Sequence, residues 1–150
     1  MLSNLKYFRL KNNLQHKDLS KDSPLQFRQI EELETDRRSI ERLALVEAIQ
    51  VAKNLGVDVE MLSDFHTRKN CRKQIEDMTG VVLNDEQIAI YVKQFDDPNE
   101  CTYTICEKII DNLKNGSLKI EKRDDAIICT CGDKEFDLTA EKLPNYKFLL

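Results

Sequence analysis

Apolar positions in the first sixty residues recur at helical spacing and are broken by turn residues. Leu5, Phe8 and the region from Leu10 to Leu14 follow Asn4, and Asn12-Asn13 offers a left-handed stop, so the spacing predicts a first helix over 4–12. A short second helix is expected over 15–22. Pro24 cannot continue a helix through its own position, which makes Ser23-Pro24 a turn. Leu25, Ile30 and Leu33 then form the inward stripe of a third helix over 26–35, leaving Phe27, Arg28, Glu31 and Glu32 on the outer face. A fourth helix is predicted over 40–54, with Leu43, Val46, Ile49, Val51 and Ala52 on its buried side and Gly56 as its C-terminal stop. Asp58 caps a last turn through Met61 and Leu62.

The pattern changes after residue 66. The basic stretch from His66 to Lys73 reads as a linker or as the start of a connecting helix ending at Gly80. Asn84 caps a helix that carries Ile88, Tyr91, Val92 and Phe95 as its stripe. Pro98 is expected to open another, running to Lys114 with Ile105, Ile109, Ile110 and Leu113 inward and stopping at Asn115-Gly116. Three strands fit 118–122, 126–131 and 134–138, separated by Arg123-Asp124-Asp125 and by Gly132-Asp133. The tail from Leu143 to Leu150 is apolar enough to dock on the core or on a partner chain. The fold class is therefore mainly α with a small β component. A five-helix domain over 1–66 is followed by an α+β domain over 67–150, helices plus a three-stranded antiparallel meander.

Composition narrows the function. The chain has 150 residues, 41% of them hydrophobic, enough for one ordinary core or two small ones. No apolar run is long enough to span a membrane, and the segment from Met1 to Phe8 has no secretory signature, so a cytoplasmic location is expected. Five cysteines without a framework spacing suit reduced thiols. Cys129 and Cys131 share one strand face beside Ile127, and with Cys101 and Cys106 they lack the paired knuckles of a zinc site. No nucleophile signature and no glycine-rich phosphate loop is present, so neither an enzyme nor a metal or cofactor is expected.

The segment from Leu5 to Leu62 resembles the phage-repressor, or Xre-type, helix-turn-helix family. The resemblance is carried by Leu5-Lys6-Tyr7-Phe8-Arg9, by Leu19-Ser20, by Ile30-Glu31-Glu32-Leu33-Glu34 and by Ala52-Lys53-Asn54-Leu55-Gly56-Val57. It departs at Pro24 and Asp36, where the family has glycines; both residues are compatible with turns. The resemblance implies a helix-turn-helix fold for the first domain and a structural ion pair between Arg9 and Glu34. It also implies that the third helix reads DNA.

The net charge of −4 excludes a bulk basic footprint, but residues 1–30 carry six Lys and Arg against two Asp and Glu. Base contacts are expected from Arg28 to guanine, Gln29 to adenine or else to a phosphate, Phe27 to a thymine methyl and Glu32 to cytosine. His16, Lys17, Arg37 and Arg38 stand where the resemblance implies phosphate contacts. The expected function is a repressor-like, autoregulatory regulator that binds an inverted repeat in double-stranded DNA as a homodimer. The alternative is a phage or mobile-element inhibitor or antitoxin-like protein, similar in organisation to some anti-CRISPR proteins. In that case residues 67–150, with thirteen Lys and Arg against sixteen Asp and Glu, would block a protein target.

Overall fold

The computed structural model describes residues 1–35 and 37–140. Asp36 and the tail from Leu143 to Leu150, both singled out above, lie outside the described residues. The chain is mainly helical with one three-stranded antiparallel sheet. It divides into two units, one of Met1–Thr67 with Asp97–Tyr103 and one of Arg68–Asp96 with Thr104 onward.

In the first unit α1 spans Asn4–Lys11, α2 His16–Leu19, α3 Phe27–Glu34 and α4 Leu45–Leu55; short 3-10 turns occupy Ile40–Arg42 and Val59–Leu62. The cap of α1 is Ser3, whose hydroxyl accepts from the Lys6 N–H, and Asn13 takes the left-handed conformation beyond its end (φ 54°). Asn4 is instead a buried tether. Its side-chain amide donates to Thr67 Oγ1 at 3.1 Å, and its Oδ1 accepts from the Tyr103 N–H at 3.0 Å. Together with a bond from the Leu2 N–H to the Glu100 carbonyl (2.8 Å), this binds residues 97–103 to the first unit. Leu5, Phe8, Leu19, Leu25, Ile30, Leu33, Val51 and Leu55 form its core, and Tyr103 packs edge-on against Phe8.

The fourth helix departs from expectation. The chain makes a 3-10 turn over Ile40–Arg42, extends through Leu43, and starts α4 only at Leu45. Ala48, Val51, Ala52 and Leu55 then set the inward seam at i, i+3, i+4 and i+7. Val46 and Ile49 lie off that seam and are 72% and 48% exposed, with Leu45 beside them at 70%. Val46, Ile49, Val51 and Ala52 all lie within α4, so the rotation that buries Val51 and Ala52 leaves Val46 and Ile49 outside. Gly56 ends α4 in the left-handed conformation (φ 70°), as a C-terminal glycine does.

In the second unit α5 (Asp64–Thr79) leads to α6 (Asp85–Lys93) and α7 (Thr102–Asn115); α5 and α7 both begin in the first unit. The strands are β1 Leu118–Arg123, β2 Ala126–Cys131 and β3 Lys134–Asp137, in sheet order β1-β2-β3. The register sets Ile120 opposite Cys129 and Cys129 opposite Phe136, so the inward face of the meander carries these side chains onto α6 and α7 residues such as Tyr91, Ile105 and Ile109. Asn84 caps α6 by accepting from the Gln87 N–H, and Gln87 donates in turn to the Leu138 carbonyl at 2.6 Å, linking α6 to the end of the sheet. Pro98 does not open α7. It lies in a turn closed by the Glu100 N–H on the Asp97 carbonyl (3.1 Å), the position that proline's fixed φ also suits.

Candidate nucleic-acid interface

Helix α3 is an amphipathic rod of eight residues. Ile30 and Leu33, with Leu25 just before it, are buried against the first-unit core, and this fixes which face turns outward. Phe27 is 57% exposed and the Arg28 side chain 82% exposed, both in the first turn. Among the described residues Arg28 pairs with Glu32, at a distance of 3.9 Å one turn on. Gln29 is half-buried, and its Oε1 accepts the Gln26 N–H at 2.8 Å, which satisfies one of the helix's opening donors and commits part of the side chain to the cap. Glu32 is half-buried and Glu31 exposed on the same helix.

The far end of α3 is tied to α1 by Arg9 and Glu34. Arg9 Nε meets Glu34 Oε1 at 2.5 Å and Nη2 meets Oε2 at 3.1 Å, with the side chains only 10% and 4% exposed. The two parallel bonds match the planar guanidinium fork to the carboxylate. The remaining Arg9 nitrogen, Nη1, donates to the Leu14 carbonyl at 3.1 Å and so holds the turn between α1 and α2.

Lys17 is exposed on α2. Arg37 is exposed and Arg38 half-buried; both backbone N–H groups donate to the Glu32 carbonyl (3.0 and 3.2 Å), which shapes the exit from α3. Arg38 also reaches Glu47 at 4.0 Å. His16 turns toward α3, with Nε2 2.7 Å from Glu34 Oε2. Phe27, Arg28, Lys17 and Arg37 are thus exposed, whereas His16, Gln29 and Arg38 are partly engaged by the protein itself.

Two ties escaped the sequence reading. Asn54 donates to the Leu19 and Lys21 carbonyls (3.0 and 2.7 Å) and so anchors the chain leaving α2 onto α4. Asn12 donates to the Leu55 carbonyl at 3.1 Å. Neither asparagine stands out in periodicity, since each sits at a helix end where asparagine is expected for local reasons.

Cys101, in the first unit, and Cys71, Cys106 and Cys129, in the second, are buried, and Cys131 is half-buried. Burial, with the Asp137 charge adding to it, pushes the Cys129 thiol up to about 12, so it stays protonated and unreactive at neutral pH. Burial also raises the Tyr91 phenol, whose hydroxyl has no hydrogen-bond partner among the described residues. Among the described residues no three His, Cys, Asp or Glu side chains are grouped to hold a metal ion, and no helix is long and apolar enough to cross a membrane.

No known protein family, curated protein or solved structure matches this chain.

Proposed function

We propose that residues 1–66 are a five-helix helix-turn-helix domain and that the protein is a sequence-specific DNA-binding regulator. The observation that carries this reading is α3 itself. One face is buried, the last turn is held by Arg9 and Glu34, and the first turn presents Phe27 and Arg28 to solvent. That is the presentation a recognition helix needs, because base edges are reached by side chains near its N-terminus. Arg28 reads guanine, Phe27 meets a thymine methyl, and Gln29 and Glu32 contribute where their remaining atoms reach. Lys17, Arg37 and Arg38 approach phosphates. One such domain reads a half-site, so the regulator acts as a dimer on an inverted repeat within its own promoter, with residues 67–150 supplying the dimer contact.

The test is a salt-dependent titration of the intact protein against the DNA upstream of its coding sequence, a duplex it enriches from a random pool, and a scrambled control. Preferential binding with a steep salt slope is expected. Lys17→Glu and Arg37→Glu weaken binding on every duplex and flatten the slope, whereas Arg28→Ala changes which bases are preferred. Equal binding to all duplexes would reject the reading. It would favour the inhibitor alternative, which the exposed Glu31 beside the cationic positions and the acidic balance of residues 67–150 support.

A further inference from the structure

The Glu34 carboxylate serves more than Arg9. Its Oε2 lies 2.7 Å from His16 Nε2, and because a carboxylate only accepts, that ring nitrogen carries the proton. The other ring nitrogen lies 3.7 Å from Glu31 Oε1, one turn earlier on the same helix. The imidazole, 28% exposed, therefore lies along the C-terminal half of α3 and meets Glu31 and Glu34 there, while Arg9 approaches Glu34 from α1. His16 is the first residue of α2, a helix of only four residues. So short a helix has little stability of its own and takes its orientation from what it is tied to.

We propose that His16 is a positioning residue: through Glu34 it sets the angle between α2 and α3, and so the aim of Phe27 and Arg28, instead of contacting a phosphate. Its consequence for recognition rests on the DNA-binding reading above; its cause rests on the geometry of α1, α2 and α3 alone. The two roles leave different traces. A lost phosphate contact reduces the salt slope by about one and weakens all duplexes alike. A lost positioning bond leaves the slope unchanged and lowers only the preference for the enriched duplex, by about tenfold for one charge-assisted hydrogen bond.

The experiment compares the intact protein with His16→Ala and His16→Gln in two arms. In the DNA arm, His16→Ala is expected to lose about tenfold in the ratio of enriched to scrambled binding at unchanged salt slope. His16→Gln, whose side-chain amide can donate to Glu34 from a similar place, restores most of that ratio. In the DNA-free arm, urea unfolding of His16→Ala, Glu34→Gln and the double variant is expected to be non-additive, with the double variant little worse than the worse single one. A flatter slope with an equal loss on both duplexes overturns the inference, and so does strict additivity in the unfolding cycle. If the unaltered protein prefers no duplex, the DNA-binding reading fails by itself, and the unfolding cycle still decides whether His16 holds α3.

Discussion

Arg9 and Glu34 meet in a place nearly closed to water, and that sets the consequence of breaking them. Replacing Glu34 by Ala strands the guanidinium, 10% exposed, without its carboxylate, and should cost about 3–5 kcal/mol in urea unfolding. The double replacement Arg9→Met with Glu34→Leu should cost much less, since no charge is left stranded. Glu41 gives a pH-dependent counterpart. Burial pushes its carboxyl up, but bonds from Ser39, from Ser63 and from the backbone N–H groups of Glu41 and Phe65 together outweigh this and hold it below the usual range. A depressed carboxyl contributes stability above its unfolded value and loses that contribution as pH falls through the folded one. The Tm gap between the protein and Glu41→Gln should therefore be constant near neutrality and close below about pH 4. Of these contacts, sequence resemblance implied the Arg9–Glu34 pair alone. The bonds of Glu41 to Ser63 and of His16 to Glu34 join residues 22 and 18 positions apart, and no periodic signal encodes them.

Element boundaries followed local chemistry wherever a cap or stop was strong. Asn84 before α6, Gly56 after α4 and the turns around β2 all lie where turn and cap residues suggest. Among the described residues, its two chain neighbours aside, no atom lies within 4 Å of a side chain added at Gly56, so Gly56→Ala meets the strain of the left-handed backbone and should cost about 1 kcal/mol. The inward face of α4 was misread because hydropathy cannot distinguish an apolar residue in the seam from one beside it. Thermal unfolding can: Val46→Lys should change stability by no more than about 0.5 kcal/mol, whereas Val51→Ala, at a fully buried site, should cost about 2 kcal/mol. Equal costs would mean that the outer face of α4 is covered. Pro98 was misassigned for a related reason. Proline suits a first helical position and a turn equally, and the choice went to the turn where residues 97–103 bond to Leu2 and Asn4.

The described residues form two apolar cores, one around Ile30 and Val51 and one around Ile88 and Ile109. Ile30→Ala and Ile109→Ala should each cost about 2–5 kcal/mol, and hydrogen exchange should show protection falling first among the amides of the altered core. Uniform loss across both cores would show that the chain unfolds as one cooperative unit. By itself the sequence determined the helices around α1, α3 and α6, the three strands and the order of the meander, and the inward stripes of α3, α6 and α7; it left 66–73 open between a linker and the helix that α5 forms. Each feature so determined depends on side-chain period, caps and turn residues a few positions apart. The tertiary structure alone decided that residues 97–103 return to the first unit, that α4 begins at Leu45 and turns Val46 and Ile49 outward, and that His16 faces Glu34. Those outcomes depend on which of several locally acceptable arrangements satisfies buried polar groups and fills a core, and that choice is made between residues far apart in the chain.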